Sequence, residues 1–135
     1  MSVPRPTVSG MAHPRMYSDD DPYLAQVREV CLALPEAHEK ESWGRPTFRA
    51  NKIFALFAGI DERPWGVIFT PDAEERPALL GDPRFYVPPY WGPYGAVALD
   101  LDAAPVDWVE VAELVESSYR KVALKRMLKA LDERT

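Results

Sequence analysis

The sequence predicts an α+β domain in which an antiparallel β-sheet is backed by helices, with a long helix near the C-terminal end. Two patterns carry this prediction. Over residues 38–70, short apolar or alternating segments are separated by short polar turns, as in an antiparallel sheet. Around them, apolar residues recur at helical spacing over 24–34 and 106–131. We expect one domain over 20–131, preceded by a flexible tail over 1–19.

The first helix is expected to begin near residues 18–22 and to end at Pro35. The Ser and Asp side chains of this run can cap the first backbone N–H groups, and Pro22 suits the first turn. Cys31 lies on the apolar stripe of the helix. We therefore expect it to be a small buried hydrophobe and not a reactive thiol.

The predicted strands follow. Residues 38–43 are polar and predict an edge strand, and residues 47–50 predict a second strand that ends in a tight turn at Asn51 and Lys52. Residues 52–60 are apolar on both alternating sets, which is typical of a strand covered on both faces or of a central strand. After a polar loop, residues 65–70 predict the returning strand.

The second half of the chain predicts a short helix over 71–81, a short strand over 85–87 and another strand over 96–101. An aromatic loop rich in proline and glycine lies between these strands. The final amphipathic helix, over 106–131, is acidic in its first half and basic in its second half. Its basic residues include Lys121, Lys125 and Lys129 at four-residue spacing, where cations complement the helix dipole.

Composition and charge exclude several classes of protein. The formal net charge is −5 and the pI is about 5.0, which disfavours non-specific nucleic-acid binding. Only 1 cysteine is present, so no intramolecular disulfide can form. We find no apolar run typical of a signal peptide or a membrane span, and we expect a cytoplasmic protein.

The sequence contains no recognisable catalytic constellation. His13 lies in the proline-rich tail, and His38 lies in a polar segment typical of a surface residue. We therefore expect no metal, no cofactor and no catalytic residue, and a non-catalytic protein is favoured. An enzyme without a known motif remains an alternative.

Two clusters are candidate binding sites. Arg45, Arg49 and Lys52 flank a predicted β-turn, where they can contact a phosphate backbone or keep a strand edge solvated. The aromatic cluster can form the walls of a small-ligand or peptide groove, or a lid that closes the core. Its members are Trp43, Tyr90, Trp91 and Tyr94.

Four segments make the chain similar to the MmcQ/YjbR-like proteins, which are small bacterial domains. They are Leu34-Pro35-Glu36-Ala37, Trp43-Gly44-Arg45-Pro46-Thr47-Phe48-Arg49, Phe85-Tyr86-Val87-Pro88-Pro89-Tyr90 and Ser118-Tyr119-Arg120. The resemblance implies a frataxin-like (CyaY-like) fold, and paired hairpins that act as a double wing on DNA. It implies no catalytic residues. The leading hypothesis is thus a DNA-binding domain that uses the basic hairpin, and the alternative is a small-molecule or peptide binder.

Overall fold

The computed structural model describes residues 14–134, and its elements confirm the predicted α+β class. In chain order they are α1 (Leu24–Leu32), β1 (His38–Ser42), β2 (Arg45–Ala50), β3 (Lys52–Phe57), β4 (Gly66–Phe69), α2 (Arg76–Leu80), β5 (Phe85–Tyr86), β6 (Val97–Asp100), α3 (Trp108–Val122) and α4 (Lys125–Asp132). The 6-stranded sheet has the order β1-β2-β3-β4-β6-β5, and all neighbouring strands are antiparallel. Within residues 14–134, no helix has the length and apolarity needed to cross a bilayer.

The sheet has two differently covered faces. On the face that we call the helix face, strand residues such as Phe48, Phe57 and Val97 pack with α1 and α3 residues such as Val27 and Val115. The opposite face, called the outer face below, carries a separate buried cluster. This cluster consists of Leu56, Ala58, Ile68, Ala96 and Ala98, with Ile53, Tyr86 and Trp91 packed against it. The prediction that the third strand is covered on both faces or central is confirmed, because β3 lies inside the sheet and contributes side chains to both clusters.

A β-bulge sets which side chains of β2 and β3 reach each face. Phe48 pairs with Ala55, but Arg49 pairs with Ile53, so Phe54 is the extra residue. The bulge allows Phe54 to pack edge-on against Tyr119 of α3, with 5.4 Å between ring centroids. Arg49 and Ile53 are left on the outer face.

The single helix predicted over 106–131 is wrong, because α3 and α4 are separate. Ala123 and Leu124 between them are extended, with ψ of 144° and 161°. The break lets α4 turn back so that Met127 and Leu131 are buried in the core of the helix face. Burying two such side chains contributes about 3 kcal/mol or more, which offsets the helical hydrogen bonds lost at the break.

The predicted capping of α1 is also wrong. The helix begins at Leu24, and its N-cap residue is Tyr23, which has φ 72° and makes no side-chain capping bond. The polar side chains expected to cap it form a turn of their own. Within that turn, Ser18 Oγ accepts from Asp20 N at 3.2 Å, and the Asp21 carboxylate accepts from Ser18 N at 3.0 Å.

The N-terminal segment contacts the domain before α1. Most of the predicted flexible tail over 1–19, with His13, lies outside the described residues. In the described part, Met16 N donates to Gly44 O at 2.8 Å, and the Tyr17 hydroxyl donates to Glu41 at 2.9 Å. This segment therefore lies along the β1–β2 turn.

Candidate functional site

Strand β1 separates its charged side chains by face. Glu39 and Glu41 point to the helix side, where Glu39 accepts from Arg28 at 2.9 and 3.0 Å, and Glu41 accepts from Tyr17. Because successive side chains of a strand alternate, Lys40 between them belongs to the outer face. The carboxylates of β1 thus lie on the helix side of the sheet and form their bonds there, away from the outer face.

Strand β2 places Arg45 and Arg49 on the outer face. Thr47, between them, pairs with Leu56 of the outer-face cluster. Arg49 donates to two hydroxyls, Thr47 Oγ1 at 3.1 Å and Ser42 Oγ at 2.8 Å. Both acceptors are neutral, so these bonds orient the guanidinium without compensating its charge.

Arg45 is half-buried at the start of the same strand. Burial lowers the pKa of Arg45, whereas hydrogen bonds to carboxylates raise the pKa of Arg28 and Arg84. The difference arises because Arg45 has been partly removed from water without gaining an anionic partner among the described residues. It is therefore a cation that a bound anion would stabilise.

The three predicted basic residues do not share one face. Arg45 and Arg49 lie four residues apart on β2, which is about 13 Å along a strand. Lys52 is exposed at the far end of the hairpin and pairs with Ala50, which is buried on the helix face. The structure thus places Arg45 and Arg49 on one face and leaves Lys52 at the turn.

Arg63 and Tyr86 extend the outer face in a way that the sequence did not predict. The Arg63 guanidinium lies 4.8 Å above the Tyr86 ring, and its buried Nη1 atom has no partner among the described residues. Burial raises the pKa of Tyr86, and so does the nearby carboxylate of Asp100, while Arg63 and Arg45 oppose the shift. Arg63 lies in the turn between β3 and β4. Because the turn has no alternating pattern of side chains, the sequence could not predict which face of the sheet Arg63 would join.

The arginines of the described chain fall into two groups. No carboxylate of residues 14–134 lies within salt-bridge distance of Arg45, Arg49, Arg63 or Arg76. Elsewhere, arginines are paired, apart from Arg134, which donates to the Ala33 carbonyl. The pairs are Arg15–Asp19, Arg28–Glu39, Arg84–Glu110, Arg120–Asp132 and Arg126–Glu36. The outer face therefore carries unpaired arginines on an acidic chain, together with the carboxylate of Asp100 near Tyr86.

The aromatic cluster divides into one partly buried ring and three exposed rings. Trp91 packs on the outer-face cluster and meets Trp43 edge-on, with 5.1 Å between ring centroids. Tyr90 and Tyr94 are 88% and 82% exposed, and Trp43 is 44% exposed. Trp91 thus closes the core as a lid does, while the other rings present their surfaces to solvent.

Other reactive groups are poorly placed for chemistry. Cys31 is fully buried, and burial raises the pKa of its thiol, as the sequence predicted for a small buried hydrophobe. A cleft beside Arg84 and Glu110 has a volume of about 10 Å³, which is barely room for one water molecule and far below the volume of a ligand pocket. Among the described residues, no group of three or more His, Cys, Asp or Glu is arranged to hold a metal ion.

Comparison with family models matches residues 32–121 to the YjbR family. The chain belongs to the YjbR family. Among solved structures, this YjbR-family chain is similar to Deinococcus radiodurans protein DR2400, described as a DUF419 domain. The identity is 22% and the TM-score 0.62, with 78% of this chain and 85% of that chain covered. That likeness shows a shared fold. No curated protein matches the chain significantly.

Proposed function

We propose that this YjbR-family chain is a non-catalytic domain that binds the phosphate backbone of nucleic acid on the outer face of its sheet. One observation carries the proposal. Arg45, Arg49 and Arg63 have no carboxylate partner among the described residues, whereas most arginines elsewhere in that part of the chain have one. Phosphate oxygens accept paired hydrogen bonds from guanidinium groups, so they would supply the missing acceptors.

The acidic net charge of −5 does not oppose this proposal at close range. At physiological ionic strength the Debye length is about 8 Å, so charges further away than this are largely screened. Carboxylates such as Glu36 and Glu110 are also already paired with arginines. On the outer face, Arg45, Arg49 and Arg63 therefore outnumber the carboxylate of Asp100, which lies near Tyr86.

The test is the salt dependence of DNA binding, measured by fluorescence anisotropy between about 50 and 200 mM salt. We expect affinity to fall steeply with salt. Arg45→Gln combined with Arg49→Gln should weaken binding and reduce the slope of log K against log[salt] by about 1.8 on duplex DNA or about 1.4 on single strands, for two lost phosphate contacts. Lys52→Gln should have a smaller effect, because Lys52 lies at the far end of the hairpin.

Arg126→Gln is the matched control for charge. Arg126 is exposed on α4 and paired with Glu36, so its removal changes the charge without touching the outer face. Binding should remain close to that of the unmodified protein. The proposal would be refuted if the DNA affinity did not change with salt. It would also be refuted if Arg126→Gln and the outer-face variant lost the same affinity for each positive charge removed.

A further inference from the structure

Tyr90 combines backbone strain with exposure. Its φ is 66°, and Trp91 N donates to Pro89 O at 2.7 Å, which is the geometry of a γ-turn centred on Tyr90. This conformation is costly for any residue other than glycine. The ring is 88% exposed, so burial of the side chain within the fold does not offset that cost. Strain of this kind is concentrated at ligand-binding positions.

Trp43 presents a second aromatic surface next to Arg45. It forms a two-residue turn with Gly44, in which both residues have positive φ, 55° and 75°. A Cβ atom on Gly44 would lie 2.0 Å from Pro14 O, so the N-terminal segment packs tightly against this turn. Trp91 holds one side of the indole by its edge-on contact, while 44% of Trp43 remains exposed.

The aromatic loop is held in place by close contacts. A Cβ atom on Gly92 would lie 2.4 Å from Val87 Cγ1, and the Arg76 guanidinium donates to the carbonyls of Gly92 and Ala96 at 3.3 and 3.2 Å. Loop residues restrained in this way lose little entropy when a ligand binds. The exposed rings of Tyr90 and Tyr94 are therefore carried on a constrained support.

We infer that the outer face binds single-stranded nucleic acid in preference to duplex, with bases stacked on Tyr90 and Trp43 and phosphates on the arginines. This inference rests on the proposed function and names its substrate class. In a duplex the base faces are covered by neighbouring bases, whereas an unpaired base offers its face to an aromatic side chain. Trp43 lies two residues from Arg45 and contacts Trp91, which directly follows Tyr90 in the loop. An aromatic surface on the same part of the fold as unpaired cations suits single strands, because every base has a face that can stack.

The experiment compares three labelled oligonucleotides of one sequence at about 50 mM salt: single-stranded DNA, single-stranded RNA and duplex DNA. We expect one or both single strands to bind at least about tenfold more tightly than the duplex. Tyr90→Leu should weaken single-strand binding by about 5- to 140-fold, equivalent to about 1–3 kcal/mol of stacking. Tyr90→Phe keeps an aromatic face at the same backbone position and should bind like the unmodified protein.

The outcomes separate the two proposals. Salt-sensitive binding that responds to Arg45→Gln and Arg49→Gln, with equal affinity for duplex and single strands and no loss in Tyr90→Leu, would overturn only this inference. Absence of binding to all three oligonucleotides would overturn the proposed function as well. Thermal melting of each variant verifies folding, so that a loss in Tyr90→Leu with an unchanged melting curve supports stacking.

Discussion

At the scale of single residues, Ser118 shows how one hydroxyl joins the helices to the sheet. It is 2% exposed, donates to Phe54 O at 2.6 Å and accepts from Thr70 N at 3.0 Å. Phe54 is the bulged residue of β3, and Thr70 directly follows β4. The hydroxyl therefore satisfies backbone groups where the regular ladder is interrupted.

Replacing Ser118 by alanine should destabilise the fold substantially. Ser118→Ala leaves a buried C=O and a buried N–H without their partner, and we expect a loss of about 2 kcal/mol or more in the free energy of unfolding. The neighbouring Ser117→Ala should change the free energy of unfolding by less than about 0.5 kcal/mol, because the side chain of that serine makes no comparable bond within residues 14–134. Urea denaturation of both variants measures the difference, and equal effects would contradict this role.

At the scale of elements, the end of α3 depends on the β2–β3 turn. Asn51 occupies this turn with φ 71°, a conformation that asparagine tolerates better than most residues. Its side-chain Nδ2 donates to Val122 O, in the last turn of α3, at 3.0 Å. The turn residue thus caps the helix where the chain breaks before α4.

Substitutions at Asn51 separate its two roles. Asn51→Gly keeps a residue suited to positive φ but removes the cap, so it should destabilise the protein by about 1 kcal/mol. Asn51→Ala also removes the cap, and in addition it places an alanine in a left-handed conformation that alanine disfavours. We therefore expect it to lower the free energy of unfolding by about 1 kcal/mol more than Asn51→Gly does. In chemical denaturation the unmodified protein should be the most stable, Asn51→Gly should be less stable, and Asn51→Ala should be the least stable. A glycine variant as stable as the unmodified protein would argue against the cap.

The sequence predicted helices and strands correctly where they depend on a local pattern of residues. It failed where contacts between distant residues determine the structure. The edge strand β1 follows from the polar character of its own residues, and the central strand β3 follows from apolar residues on both of its alternating sets. The sequence at the break between α3 and α4 contains no proline or glycine that would predict it. It depends on the burial of Met127 and Leu131 and on a bond from Asn51, none of which local periodicity contains.

At the scale of the whole molecule, ion pairs join layers that are distant in sequence. Arg84, just before β5, donates to Glu110 of α3 at 2.8 and 3.1 Å and also to Asp82. Hydrogen bonds from Arg84 lower the pKa of Asp82 below its ordinary value of 3.8. A carboxylate with a lowered folded-state pKa stabilises the protein above its unfolded pKa, and this contribution is lost as the pH falls through the folded value.

Arg84→Gln should therefore destabilise the protein most at neutral pH. The difference in melting temperature from the unmodified protein should narrow as the pH falls below 3.8 and through the lowered pKa of Asp82, because that carboxyl then becomes protonated in the folded unmodified protein as well. Arg134→Gln provides the control, because Arg134 donates to a backbone carbonyl, which does not titrate. Thermal melts from about pH 7 to about pH 2 test this, and a constant difference for Arg84→Gln would contradict it.

The candidate site was only partly predictable. Arg45, Arg49 and the aromatic loop stood out because basic and aromatic residues lie close together in the sequence. The separation of Lys52 from the other two follows from its pairing with Ala50 at the turn. Which ring of the loop is partly buried also depends on position, since Trp91 packs against the outer-face cluster and Tyr90 is 88% exposed.

The sequence by itself determined the class of the fold, the order of its strands along the chain and the burial of Cys31, because these depend on patterns within short segments. Only the tertiary structure decided which cations have anionic partners. Arg126 pairs with Glu36, which is 90 residues away in the sequence, and Arg84 pairs with Glu110, which is 26 residues away. Arg45 and Arg49 meet no carboxylate of the described chain on the outer face. Charge pairing depends on distance in space, and the folded arrangement of layers sets that distance.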